Sequence, residues 1–303
     1  MKRRRKFYRG AVNHVYQRTV GWVNIFYCYQ DFLVFFTIFS VCAKSADITV
    51  LGICLMYDHV HFLVQSPSRE ELSGFVDRFS SWFVLEYNGH IGRKGKLLHK
   101  NFGSAPKRGD KNIRSAINYV GNNPVEKKLC KSAEDYRWNF LKYAISSNPF
   151  SEKYEQQNTG KRFRSIIKEV SRSAELNLPL KYRQLKWMTE KLSPKELEQF
   201  IDHVITSYSP IDYTELISYY GSYENMIQAM DSNTGSEYEI KEHYENSSHI
   251  PFREILKELE ISTDPDEIRK ITVLPDEEKI NIYRWIKQHF SLDDWMIRKF
   301  LHM

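Results

Sequence analysis

The chain has 303 residues, 42% of them hydrophobic and 14% aromatic, with a formal net charge of +6. This is enough apolar material for one large domain or two ordinary ones, and it excludes a disordered chain. The charge is divided unevenly: residues 1–150 hold 23 Lys+Arg against 11 Asp+Glu, a net of +12, and the remainder carries a net of −6. A basic first half points to a polyanionic partner such as nucleic acid.

The chain opens with Lys2, Arg3, Arg4, Arg5 and Lys6, which reads either as a phosphate-contacting arm or as a solvated tail. Phe7-Tyr8-Arg9-Gly10 follows, with no adjoining apolar region, so the expectation is a protein of the cytoplasm without a secretion signal. Ala11 to Thr19 alternates as a first strand. Tyr29 to Ser45 reads as a buried helix. Its apolar stretch, Phe32 to Ala43, is too short for a membrane span, which needs about 20 residues. Ile48 to Met56 is a second strand, Tyr57-Asp58 a connection of hairpin length, and His59 to Gln65 a third strand. Ser68 and Glu71 form a capping-box pattern at the start of an amphipathic helix. Gly89, Gly92 and Gly95 mark a loop before a fourth strand over Lys96 to Ala105.

This order, βαββαβ, predicts an α+β fold of the ferredoxin-like kind, an antiparallel sheet with two helices on one face. A further helix follows, capped by Asp110 and expected to stop near Asn123 because Pro124 lacks the N–H a helix needs. Ile113, Ile117 and Val120 would dock it. Residues 146–160 read as a linker between an N-terminal domain (1–145) and a mainly helical one (161–303). Ser193-Pro194-Lys195-Glu196 caps one of the later helices, and Ser232 to Ser248 is acidic. Residues 276–301 read as two helices around Phe290-Ser291, either a helix-turn-helix or an ordinary helical hairpin. Cys28, Cys42, Cys54 and Cys130 have no CxxC spacing and read as reduced thiols.

His59-Val60-His61 carries the most chemical information. Residues two apart on a strand share a face, so the two imidazoles lie side by side while Val60 and Phe62 point to a core. Such a pair is either two buried hydrogen-bonding residues or two ligands of one divalent metal. Tyr119 and Asn123, four apart, share a helix face if the helix extends that far.

Leu55 to Val64 resembles the His-hydrophobic-His signature of single-tyrosine transposases. Asn118-Tyr119-Val120-Gly121-Asn122-Asn123-Pro124-Val125 resembles the catalytic-helix segment of the REP-associated tyrosine transposases, where Tyr is followed by Asn-Pro-Val. Asn13 to Arg18 is similar to that family's opening strand, and Gly95 to Phe102 to its Gly-rich entry to the last strand. The resemblance spans residues 7–144. It departs where the family has Pro-Asn before the first histidine and this chain has Tyr57-Asp58; Asp58 there is either an orienting partner of the histidine or a turn residue, and we favour the turn.

The resemblance implies that His59, His61 and Asn123 ligate Mg2+ or Mn2+ and that Tyr119 attacks a phosphodiester. It further implies single-stranded, hairpin-containing DNA as substrate, nicked and rejoined through a 5′-phosphotyrosine. Gln17, Arg18, Lys107, Arg108, Lys111 and Arg114 are candidate DNA contacts beside the basic arm. His14 reads as a packing residue. The competing readings are a non-catalytic DNA-binding relative and a replication initiator or relaxase with the same histidine pair. No membrane partner is expected, and a homodimer is one assembly the sequence allows.

Overall fold

The computed structural model describes residues 6–155, 159–232, 249–262 and 265–303. The N-terminal basic cluster Lys2 to Arg5 and almost all of the acidic stretch Ser232 to Ser248 lie outside the described residues.

Four strands form one antiparallel sheet, β1 (Val12–Arg18), β2 (Thr49–Met56), β3 (His59–Gln65) and β4 (Gly103–Lys107), in the order β2-β3-β1-β4. Helix α1 (Tyr29–Ser45) connects β1 to β2, and α2 (Arg69–Ile91) connects β3 to β4. The βαββαβ expectation therefore stands, and the later part of the chain is mainly helical.

The sheet separates two cores, as strand alternation requires. Val15, Ile53, Val60, Phe62 and Val64 face α1 and α2. Val12, Cys54, Met56 and Leu63 face the other way, against α3 (Asp110–Glu126) through Ile113, Ile117 and Val120. On the first side Phe39 lies within 5.1–5.3 Å of the rings of Phe62, Phe75 and Phe79. Emptying such a position costs about 3–5 kcal/mol. This packing fixes the face to which each strand residue belongs.

Element boundaries depart from the sequence reading at several points. Gly89 is inside α2, and Gly92, with φ 71°, ends that helix in the left-handed region that glycine adopts freely. Ser68 caps α2 by accepting a hydrogen bond from Glu71 N. Helix α3 has Gly109, not Asp110, at its N-cap, and it runs through Pro124 to Glu126. Proline removes only its own N–H from the ladder, and the bond from Lys127 N to Asn123 O closes the last turn. The expected strand over Lys96 to Ala105 is displaced: Leu97 and His99 hydrogen-bond the end of β1, and continuous pairing begins only at Gly103.

The expected boundary at 146–160 is not a boundary of the core. Helices α4 (Lys161–Glu175), α5 (Tyr182–Thr189) and α6 (Pro194–Tyr208) contribute Phe163, Val170, Tyr182, Phe200 and Val204 to the apolar cluster that holds α1. Two shorter helices, α7 (Tyr213–Ser218) and α8 (Tyr223–Ser232), pack beside α3 instead, through Leu216, Met226 and Met230. Ser193 caps α6 in a full capping box with Glu196.

The C-terminal helices α9 (Ile250–Ser262), α10 (Pro265–Lys270), α11 (Asp276–His289) and α12 (Asp294–Leu301) form a third cluster that closes on Tyr27 and Tyr57. Residues 276–301 form two helices, α11 and α12. Met296, Ile297, Lys299, Phe300 and Leu301 of α12 are buried, and its N-terminus carries Asp293 and Asp294. Arg284, Lys287 and Arg298 of these two helices are exposed. No helix among the described residues is long and apolar enough to cross a membrane.

Candidate metal centre and tyrosine

The β2–β3 turn sets the geometry. β3 pairs with β1 so that His59 lies opposite Arg18 and His61 opposite Tyr16. His59 and His61 fall on the α3 side of the sheet, with ring centroids 4.8 Å apart and planes at 89°. His14, diagonal to His61 across the β1–β3 pair, places its Nε2 3.0 Å from His61 Nδ1. A diagonal neighbour is within reach of a long or aromatic side chain.

From the opposite side α3 presents Tyr119 and Asn123, one turn apart. The Tyr119 ring stands edge-on to both His14 and His61, with centroid distances of 5.4 and 5.6 Å. Asn123 Nδ2 donates to His61 Nε2 at 3.2 Å. The other three asparagines of this helix point elsewhere, Asn112 Nδ2 donating to the Arg108 carbonyl. Asn118 Oδ1 accepts from Tyr220 OH, and Asn122 Nδ2 donates to the carbonyl of Met230. The structure thus brings together His59, His61, Tyr119 and Asn123. All are buried, His61 completely so.

Tautomers follow from these bonds. His59 Nδ1–H donates to Asp58 Oδ1 at 2.6 Å. In His61 the Asn123 contact puts the lone pair on Nε2, so Nδ1–H donates to His14. Burial, followed by the nearby His59 and Arg18, pushes the His61 imidazole well below its ordinary pKa. It is therefore neutral, as a ligand must be.

The residues suit a divalent cation. Asn123 Oδ1 is buried with no hydrogen-bond partner, an acceptor whose isolation is costly unless something occupies it. Two imidazole nitrogens and one amide oxygen form a borderline donor set that Mn2+ tolerates better than Mg2+. No group of three His, Cys, Asp or Glu side chains arranged for a metal occurs among the described residues.

Asp58 is more than a turn residue. Its carboxylate is buried beside His59, 2.5 Å from Lys299 Nζ and 3.7 Å from His249 Nε2. Burial pushes this carboxyl upward, but His59, Lys299 and His249 together hold it well below the usual range. It therefore remains an anion and an orienting partner for His59. His14 likewise does more than pack, because it fixes the His61 ring. For His14 the signal was its parity with Tyr16 on β1, which puts both on the histidine face. No local signal in the sequence marks Lys299 or His249 as neighbours of this turn.

The candidate DNA contacts divide. Gln17 is buried, its Nε2 donating to the His99 carbonyl and its Oε1 accepting from Ser80. It is a structural tie between β1, α2 and the 97–99 segment, and it cannot reach a phosphate. Arg18 lies at the end of β1 with its guanidinium 4.6 Å from the ring centroid of the exposed Trp22. Lys107 is half-buried, and Arg108, Lys111 and Arg114 are exposed near the start of α3. Arg108 stacks over Tyr8, and Arg114 Nη1 donates to the Tyr219 carbonyl.

A ferredoxin-like sheet whose strand histidines meet a helix-borne tyrosine and asparagine is the class that fold and site define. Residues 29–123, from α1 through Asn123, match the family model described as "Transposase IS200 like". A solved structure described as a REP-associated tyrosine transposase bound to a REP hairpin aligns at 15% identity. The alignment covers 53% of this chain and 94% of that one, with a TM-score of 0.41. No curated protein matches the chain.

Proposed function

We propose that the protein nicks and rejoins single-stranded DNA through a 5′-phosphotyrosine on Tyr119, with His59, His61 and Asn123 holding a divalent cation. The convergence of those four residues from two strand positions and one helix carries the reading, and the unpartnered Asn123 Oδ1 supports it. When bound, the cation would neutralise the phosphate oxygens and orient the phosphate for in-line attack.

The chain's own residues do the rest. Tyr119 Oη bonds the phosphorus and gives up its proton to solvent. The bond to the 3′ oxygen breaks, and that oxygen leaves as a 3′-hydroxyl after taking up a proton. A second 3′-hydroxyl reverses the step without ATP, because the phosphotyrosine conserves the broken bond's energy. α3 holds the phenol one turn from Asn123, and positioning of this kind helps a nucleophile whose free pKa is about 10. Tyr119 is buried, so the substrate must part α3 from the histidine face to reach it.

The DNA path is supported by Arg18, opposite His59 on the neighbouring strand, and by Trp22, exposed with its backbone at φ 62°. Exposed Lys94, Lys96 and Lys100 lie in the segment that hydrogen-bonds this end of β1. An aromatic face flanked by cations suits unpaired bases and their backbone.

The test is incubation of the full chain with Mn2+ and labelled single-stranded hairpin DNA, read on a denaturing gel. A covalent adduct that Tyr119→Phe abolishes, and that His59→Ala and His61→Ala lose while still binding DNA, is the expected result. Tight binding with no adduct across a broad set of hairpins would overturn it in favour of a non-catalytic DNA-binding protein.

A further inference from the structure

The C-terminal helices meet the candidate centre at one point, the Tyr57–Asp58 turn. Here the chain departs from the Pro-Asn that the resembled family has before its first histidine. Both departures have partners from the far end of the chain. Tyr57 packs against His249 and Phe252, with ring centroids at 5.8 and 6.4 Å. Asp58 receives Lys299 Nζ on Oδ2 while His59 occupies Oδ1. Lys299 is itself buried, its ammonium 5.6 Å from the Phe252 ring centroid, and its carbonyl accepts from Asn24 N. His249 N donates to the Lys127 carbonyl at the end of α3. One C-terminal layer thus touches both the turn that carries His59 and the helix that carries Tyr119.

We propose that Lys299 is a positioning residue: it fixes the Asp58 carboxylate, which fixes the His59 ring with Nε2 free for a cation. The inference rests on the reading of His59 as a ligand. An asparagine at position 58 could accept from His59 Nδ1–H without any countercharge. A carboxylate makes the imidazole a more basic ligand, but a buried anion needs a cation beside it, and Lys299 is that cation. Stability alone is a weak reason for the pair, since desolvating both charges offsets most of their attraction. Setting the tautomer and orientation of His59 is a role that the pair fills directly.

The experiment uses the full-length protein with 15N-labelled histidine. In the metal-free wild type, NMR should show His59 as a single tautomer with the proton on Nδ1. Lys299→Met should mix the tautomers and weaken Mn2+ binding, followed by electron paramagnetic resonance, about 10–100-fold. Lys299→Arg, which keeps the charge, should restore both.

Should Lys299→Met fold poorly, Asp58→Asn combined with Lys299→Met supplies a second reading. Removing both charges should give a higher melting temperature than Asp58→Asn alone, which strands a buried ammonium. The proposal is overturned if Lys299→Met melts earlier yet keeps the wild-type His59 tautomer and Mn2+ affinity, because the pair is then only a structural tie. It is also overturned if the double variant is no more stable than Asp58→Asn. A wild type that binds no Mn2+ would overturn the parent reading instead, and the metal-free tautomer would still report whether Lys299 acts on His59.

Discussion

Asp31→Asn should unfold this protein far more easily than a one-atom change suggests. Asp31 Oδ1 is 2.7 Å from Arg269 Nε, with both side chains fully buried. The same oxygen accepts from Tyr182 OH, while Oδ2 accepts from the backbone N–H groups of Tyr27 and Cys28 at the start of α1. Asparagine can keep the two cap bonds through its own oxygen. It cannot balance the Arg269 guanidinium, which lies 4.0 Å from the Tyr182 ring centroid and donates to Gln30 Oε1. Removing one member of a buried pair and leaving the other costs about 3–5 kcal/mol. Urea unfolding at neutral pH, followed by circular dichroism, measures this directly. Asp31→Asn combined with Arg269→Met should recover part of the loss. A loss below about 1 kcal/mol, the range of exposed pairs, would refute the claim that this contact holds α10 to α1.

Three further outcomes follow from the geometry. In Gly103→Ala the new Cβ would meet Tyr16 Cε1 at 2.0 Å, so the ring must leave β4. A thermal melt should show about 1–3 kcal/mol of destabilisation, and unchanged stability would mean the ring swings out freely. His302 is held down to about 4 by burial, its Nε2–H donating to the Asn24 carbonyl. Its folded pKa is below the unfolded value, so its contribution is complete above pH 6.5 and is lost as pH falls toward 4. That is at most about 3 kcal/mol, and urea midpoints of His302→Gln should depend less on pH across this window than those of the wild type. Trp22→Ala should weaken single-stranded DNA binding by about 1–3 kcal/mol without changing the melting temperature, as fluorescence anisotropy would show; equal affinity would remove Trp22 from the DNA path.

The parts of the site that were legible in the sequence are those encoded by local periodicity. Alternation along β3 put His59 and His61 on one face and Val60 and Phe62 on the other, and that is where they are. Helical spacing likewise put Tyr119 and Asn123 one turn apart. Pro124 misled because a helix can carry a proline at the loss of that residue's own backbone bond, and α3 continues two residues past it. Gln17 looked like a phosphate contact because nothing in β1 reveals that Ser80 and His99 enclose it. Asp58 looked like a turn residue because its partner, Lys299, is 241 positions away. Ion pairs over such separations leave no local pattern.

Helix α1 is apolar around nearly its whole circumference, with Gln30 through Ala43 buried. One flank lies on the sheet and α2, and the other is roofed by residues beyond 160, where Leu180 N donates to Thr37 Oγ1 and Tyr29 OH to Thr189 Oγ1. A chain cut after residue 145 would therefore expose a greasy flank along the full helix. Grafting the histidine-and-tyrosine module onto another protein would fail for the same reason unless α4 to α6 travelled with it.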